Sequence, residues 1–217
     1  MKINPIHPVK ILIINCLCLS AYRVFDQWQM THLFLVFNLF LAWLPYQLST
    51  LVGKANRTYL NWSLFAITLL FLPNAAYLLT DLVHYRSSNH INLWYDLVLF
   101  FSYALTGLTL TMYSVEQLID YLKDNYGKGI TRIFQILVFP LIGTGIYLGR
   151  IERFNSWDVV THPFAFCEEL IHLVFSYKCL EMLQFTLLFG LFSGLIYWFF
   201  HHVRRHHSAI TIKPTKY

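Results

Sequence analysis

Six long apolar stretches constrain the fold of this chain more than any other feature of its sequence. They cover residues 9–25, 31–52, 58–80, 93–114, 131–149 and 181–202. About 20 apolar residues let a helix cross roughly 30 Å of hydrocarbon. In lipid a helix satisfies its own backbone hydrogen bonds, whereas an irregular chain does not. The sequence therefore predicts an all-α fold, a polytopic transmembrane helical bundle of about six spans.

The composition excludes a soluble fold and a nucleic-acid partner. Of the 217 residues, 57% are hydrophobic and 12% are charged, whereas a soluble domain carries about 25% charged residues. A water-soluble core of that size would exceed what a chain of this length can enclose. The net charge is +5, but the basic residues lie in short segments between apolar stretches and form no patch interleaved with aromatic residues. The expected partner is therefore the lipid bilayer.

The distribution of Lys and Arg predicts the orientation of the bundle. Eleven of the 16 Lys and Arg residues lie in the N-terminus, the second and fourth loops and the C-terminal tail. Such residues accumulate on the cytoplasmic side of a membrane. We therefore expect a multi-pass protein of the cell membrane with both termini in the cytoplasm. Residues 1–205 would form a single transmembrane domain, and residues 206–217 would form a short basic cytoplasmic tail.

The long loop between the last two stretches contains a further helical pattern. After Pro163, apolar residues recur at helical spacing, with Glu168, Glu169 and His172 between them. At this length we expect an amphipathic helix on the outer membrane surface rather than another span. The loop also holds Cys167 and Cys179, which would pair only if it faces an oxidising compartment.

Polar residues gather where the third span ends and the fourth begins. Asn74, Tyr77, Asp81 and His84 follow one another at intervals of three, four and three residues. On a continuous helix they share one face, which becomes more polar toward the outer end. Asp96 lies at the start of the next span, which places a second carboxylate at the same depth.

The outer end of the fifth span adds cationic groups at this depth. Arg150, Arg153 and Trp157 fall on one face if the helix continues, and Asp158 follows them. The counting of Lys and Arg places all three span ends on the extracytoplasmic side. We therefore expect a charged cluster of Asp, His and Arg at the outer mouth of the bundle.

Three groups of residues give the chain a resemblance to a known family. They are Phe71–Tyr77 with Thr80, Asp81, Leu82 and His84, then Trp94–Asp96, and finally Tyr147–Arg150 with Arg153 and Asn155–Asp158. With these motifs the chain resembles the domain of unknown function 1361 family of bacterial multi-span integral membrane proteins. Motifs of that family often read Ala-Pro-Tyr where this chain has Ala75-Ala76-Tyr77, a difference that softens a kink and removes no reactive group. The resemblance implies an integral membrane protein without an assigned activity.

The charged cluster has a structural interpretation. An ionised Asp or Arg well inside a bilayer costs about 2.5 to 3.5 kcal/mol. Pairing Asp81, Asp96 or Asp158 with Arg150 or Arg153 would offset this cost and lock three helices together. This interpretation predicts a noncatalytic membrane protein whose charged mouth is structural or contacts a partner.

The same residues also support a ligand or catalytic site. Asp81 and His84 would ligate a divalent cation, the one cofactor that the sequence suggests, and the arginines would hold a lipid head group or another anion. The alternative function is then a membrane-embedded enzyme acting on a lipid-linked or phosphorylated substrate. Its candidate catalytic residues are Asp81, His84, Asp96 and Asp158, and its candidate ligand-binding residues are Asn74, Tyr77, Arg150, Arg153 and Trp157.

A third hypothesis is a small transporter or channel. It is motivated by the polar face that runs from Asn74 to His84. Against it, the sequence has no internal repeat and no pair of broken helices of the kind that many transporters use. The sequence indicates neither a substrate nor an oligomeric state.

Overall fold

A computed structural model describes residues 6–27, 33–84 and 93–211, and in these ranges the chain is helical and contains no strand. The helices are α1 (Ile6–Gln27), α2 (Leu33–Leu51), α3 (Thr58–Tyr77), a 3-10 helix (Thr80–His84), α4 (Leu93–Arg150), α5 (Asp158–Thr161), α6 (Pro163–Phe175) and α7 (Lys178–Thr211). Five of them, α1, α2, α3, α4 and α7, are long and apolar enough to cross a membrane. The predicted all-α membrane bundle is confirmed.

Helix α4 reverses direction at Gly127 and so supplies two arms, residues 93–126 and 128–150. Gly127 has φ 82° and ψ 177°, a conformation that glycine adopts without steric cost. Gly107 in the first arm lies against Ala75 and Leu78, and Gly145 in the second arm lies against Pro73. Because both arms touch the same part of α3, they lie side by side. Counted as two segments, the arms of α4 raise the five long apolar helices of the described residues to six segments, in line with the predicted number of about six.

The segment between the fourth and fifth predicted spans is helical rather than irregular. Val115, Leu118, Ile119 and Leu122 are buried at intervals of three and four residues. This spacing keeps one apolar face against the core beyond the end of the predicted span. The first arm of α4 therefore continues as a helix to the reversal instead of ending near residue 114.

The first arm of α4 is the central helix of the bundle. Leu99 and Tyr103 pack with α1 and α2, whereas Val115 and Ile119 pack with α3, the second arm and α7. The outer face of α7 is apolar and exposed, with Leu188, for example, 66% exposed. Such a face is what a lipid-facing helix requires.

Successive helices alternate in direction, so their ends form two groups. We call one group the Asp81 end, where α1, α3 and the second arm of α4 end and α2 and α7 begin. We call the other the Lys54 end, where α2 ends, α3 begins and α4 reverses. Each end of the bundle contains a cavity with a polar lining.

Two short helices connect α4 to α7 at the Asp81 end. The helix predicted after Pro163 is present as α6, with Leu173 buried and Phe164 and Phe175 almost fully exposed. Its 13 residues are too few to cross a bilayer. Cys167 and Cys179 are both free thiols.

Candidate functional site

A buried ion pair joins the last residue of α4 to the 3-10 helix that follows α3. Arg150 Nη1 lies 3.2 Å from Asp81 Oδ1 and donates to Tyr77 Oη at 2.9 Å. Nη2 of the same guanidinium donates to the carbonyl oxygen of Thr80 at 3.0 Å. The Asp81 side chain is only 1% exposed. The predicted meeting of Asp81 with Arg150 therefore occurs, in the form of a closed ion pair.

Two further contacts complete this ion pair. Asn38 Nδ2, on α2, donates to the second carboxylate oxygen of Asp81 at 2.9 Å. The Arg150 guanidinium carbon also lies 5.2 Å from the centre of the Tyr77 ring, a cation–π geometry. A buried ion pair is stable only when further hydrogen bonds satisfy its remaining polar atoms. Here α2, α3, the 3-10 helix and α4 all contribute to that network.

Asp96 belongs to a separate ion pair. Its Oδ2 lies 2.8 Å from Arg23 Nη2, and Arg23, near the end of α1, is only 5% exposed. Arg23 belongs to none of the sequence motifs, and it is one of the five Lys and Arg residues on the predicted extracytoplasmic side. The sequence does contain a signal for this pair: Arg23 and Asp96 both lie near the predicted outer end of a span, where a charge requires a partner.

A second ion pair that the sequence did not predict ties the segment after α4 to α7. Lys178 Nζ lies 3.0 and 3.2 Å from the two carboxylate oxygens of Glu152. The Lys178 side chain is 39% exposed, so solvent screening limits its contribution to stability. Its effect is mainly to fix where the connecting segment leaves the bundle.

The segment after Arg150 does not continue the helix. Helix α4 ends at Arg150, and Arg153 has φ 62°, a left-handed conformation that breaks helical geometry. Asp158 Oδ2 accepts a hydrogen bond from the Asn155 backbone N–H at 2.7 Å. Asp158 therefore holds a turn, and the face that Arg150, Arg153 and Trp157 would share on a longer helix does not form.

A small cavity of about 190 Å³ lies at the Asp81 end, between α2, α3, the second arm of α4 and the turn before α5. Its polar and amphipathic lining consists of Asn38, Asn74, Tyr77, Asn155, Ser156 and Trp157. Asn74 Nδ2 donates to Ser156 Oγ at 3.0 Å, which fixes the turn against α3. The cavity is smaller than the roughly 300 Å³ at which pockets for drug-sized ligands begin.

The ion pair lies behind the wall of this cavity. Asn38 and Tyr77 line the cavity and also bond to the pair, whereas Asp81 and Arg150 are not among the lining residues. The polar groups that face the cavity are amides and hydroxyls. The structure thus brings Asn74, Tyr77 and Trp157 together around a largely neutral space.

A family model described as protein of unknown function (DUF1361) matches residues 37–196. The chain belongs to the DUF1361 family. The matched region contains the cavity, Asp81 and Arg150, but it begins after α1 and therefore leaves out Arg23. No curated protein and no solved structure is significantly similar to the chain. Membership in the DUF1361 family assigns no activity.

The proposed cation site of this DUF1361 protein rests on Asp81 and His84. Both oxygens of Asp81 already accept hydrogen bonds, from Arg150 and from Asn38. The His84 side chain lies outside the described residues. Among the side chains that the structure describes, no three His, Cys, Asp or Glu residues are arranged to hold a metal ion. The Asp81–His84 site stays a prediction from sequence.

Proposed function

We propose that this DUF1361 protein is a noncatalytic integral membrane protein whose Asp81 end is held in shape by ion pairs around a cavity that binds a partner. The observation that carries this proposal is the environment of Arg150. Its guanidinium bonds to Tyr77, Thr80 and Asp81, which fix it to the protein and neutralise its charge. A phosphate clamp or a general base would instead need a charge that no other group of the protein neutralises.

The cavity favours an uncharged polar group as the bound partner. Asn74 and Asn155 supply amide groups, and Tyr77 and Trp157 supply aromatic surface. Amides hydrogen-bond to hydroxyls and carbonyls, and aromatic rings pack against the apolar part of a polar molecule. A small neutral polar group, either free or part of a larger membrane molecule, matches this lining.

The orientation of the protein is part of the same proposal. We place it in the cell membrane with both termini in the cytoplasm, because most Lys and Arg residues lie on that side. The cavity would then face the extracytoplasmic side. A C-terminal fluorescent protein that folds only in the cytoplasm should be fluorescent, and a dark but fully translated fusion would contradict the orientation.

Replacement of the paired residues tests the structural role. Arg150→Ala leaves Asp81 buried without its cation, which for a buried pair costs about 3 to 5 kcal/mol. We expect both Arg150→Ala and Asp81→Ala to lower the yield of assembled protein in detergent. Arg153→Ala is the matched control, because Arg153 is exposed. If both pair variants fold as well as wild type, the structural role is wrong.

The enzyme hypothesis remains the second candidate because of Arg153. This residue is exposed and forms no ion pair within the described part of the chain, and it lies next to the cavity wall that begins at Phe154. In this alternative Arg150 and Arg153 hold an anionic, lipid-linked or phosphorylated substrate, and Asp81 or His84 acts as a base or metal ligand. Metal analysis of wild type and His84→Ala, with phosphate binding to wild type and Arg150→Ala, tests it. Metal-free wild type without phosphate affinity would reject it.

A further inference from the structure

The Lys54 end contains a second and much larger cavity, of about 850 Å³. It lies between α1, the end of α2 with the turn that follows, and the first arm of α4. Its volume falls within the roughly 300 to 1,000 Å³ of ligand-binding pockets. Charged and amide side chains line it, namely Lys10, Lys54, Asp120, Asp124, Gln47 and Gln117.

The charges of this cavity are separated by sign. Lys10 comes from α1 and Lys54 from the turn after α2, whereas Asp120 and Asp124 lie one helical turn apart on α4. Within the described residues, Lys10, Lys54 and Asp124 form no ion pair. Cations therefore face the cavity from two elements and carboxylates from a third.

The same cavity also contains neutral polar side chains. Gln117 is oriented by a hydrogen bond, and the Tyr46 hydroxyl has no hydrogen-bond partner within the described residues. Ser49 Oγ donates to Gln117 Oε1 at 3.0 Å, so the Gln117 amide is oriented and its N–H groups are left as donors. Tyr46 also lines the cavity, and its hydroxyl is buried with no hydrogen-bond partner among the described residues. A buried polar group without a partner is costly. This lining is that of a polar binding site rather than of a packing defect.

The position of the cavity narrows the class of ligand. Gly53 and Lys54, in the turn between two membrane-crossing helices, both line it. Such turns lie at the level of lipid head groups, where Lys and Arg meet phosphates. Two ammonium groups there match a phosphate. The carboxylate of Asp124 on α4 matches an ammonium group, because complementary charges on different walls select both the ligand and its orientation.

We infer that this cavity binds a zwitterion that carries both a phosphate and an ammonium group, the chemistry of phosphoethanolamine. Lys10 and Lys54 hold the phosphate, and Asp124 holds the ammonium group. The ligand is either the head group of a lipid or a free small molecule. The site is independent of the one proposed at the Asp81 end, because the two cavities share no lining residue.

The test is a calorimetric titration of the purified full-length protein in a non-ionic detergent. O-phosphoethanolamine is the probe. Inorganic phosphate and ethanolamine, which each carry only one of its two charged groups, are the reference ligands. We expect saturable binding of phosphoethanolamine that is at least tenfold weaker in Lys54→Gln and in Asp124→Asn. Lys128→Gln removes an exposed charge at the same end outside the cavity, and Glu168→Gln removes an exposed carboxylate elsewhere. Both controls should bind as wild type does.

Native mass spectrometry of the same preparations identifies the source of the ligand. If wild type retains phosphatidylethanolamine and the two cavity variants lose it, the ligand is a lipid head group. If no lipid is retained and soluble phosphoethanolamine binds, the ligand is a free small molecule. The inference is overturned if neither form binds. It is also overturned if phosphate alone binds as tightly and Asp124→Asn has no effect, because the site would then recognise only an anion.

Discussion

The two ends of the bundle use their charged residues in opposite ways. At the Asp81 end, Asp81 pairs with Arg150 and Asp96 pairs with Arg23, and all four residues are largely buried. The cavity beside them is small and largely neutral. At the Lys54 end the cavity is more than four times larger, and its lysines face it without ion pairs. A sequence motif rich in charged residues therefore does not by itself show which charges of a membrane protein are free to bind a ligand.

Burial explains the difference between the two ends. A charge taken out of water is tolerated only when a partner and additional hydrogen bonds replace its solvation. Asp81 and Arg150 meet that condition, so their charges stabilise the contact between helices. Lys10, Lys54 and Asp124, which line the cavity at the Lys54 end, are exposed, so they remain able to bind a ligand. We expect substitutions at the two ends to differ in the property that they change.

The largest effect should come from breaking the pair between Arg23 and Asp96. Asp96→Ala leaves the Arg23 guanidinium buried without its carboxylate, so we expect a loss of about 3 to 5 kcal/mol in the free energy of unfolding. The double variant Arg23→Met with Asp96→Leu should recover most of this loss, because apolar side chains often replace a buried pair without cost. Reversible denaturation in mixed micelles measures both. A double variant no more stable than Asp96→Ala would contradict this account.

A smaller effect should distinguish Arg from Lys at the two ends. Arg150 uses two guanidinium nitrogens for three different acceptors, a geometry that an ammonium group on a different stem does not reproduce. We expect Arg150→Lys to cost about 2 kcal/mol. The reverse exchange at the other end, Lys54→Arg, should change stability by less than about 0.5 kcal/mol. Equal losses of stability in Arg150→Lys and Lys54→Arg would show that the two ends do not differ in how strictly the geometry of the cation matters.

The Asn38 amide should contribute less than either ion pair. Asn38→Leu removes the donor to the second oxygen of Asp81 but leaves Arg150 in place. Interhelical hydrogen bonds in membrane proteins contribute about 0.6 to 1.7 kcal/mol, so we expect a loss of about 1 kcal/mol. Asn56→Leu is a control, because Asn56 is exposed in the turn after α2, at the opposite end of the bundle from Asp81. A loss as large as that of Arg150→Ala would mean that Asn38 has a further role.

Sequence was sufficient for the features that depend on local pattern and chain length. The membrane-crossing segments follow from apolar length, and α6 follows from its helical spacing and the proline at its start. The meeting of Asp81 with Arg150 could be predicted as one of several pairings, because each charge lies at the same depth and requires a partner. Depth did not decide which carboxylate pairs with which cation.

Features that depend on three-dimensional packing were not accessible from sequence. The partner of Asp96 lies 73 positions away on α1, outside the three groups of motif residues. In the sequence Asn38 is an isolated polar residue within a span, and only the structure shows its hydrogen bond to Asp81 on the 3-10 helix. The cavity at the Lys54 end, which Gln47 and Gln117 line, depends on the distance between α1 and α4. That distance cannot be predicted from a residue pattern.

The smallest effect on stability should come from the open charges at the Lys54 end. Lys54→Gln and Asp124→Asn remove exposed groups that form no ion pair within the described residues, so each should change the free energy of unfolding by less than about 0.5 kcal/mol. Unfolding of both variants should be measured beside that of Lys128→Gln and of Arg150→Ala. A loss of several kcal/mol in Lys54→Gln would mean that Lys54 is a buried structural cation like Arg150. Unchanged stability of Lys54→Gln and Asp124→Asn, together with a loss of phosphoethanolamine binding, would instead show that the two ends have different functions. The Asp81 end would maintain the fold, and the Lys54 end would hold a ligand.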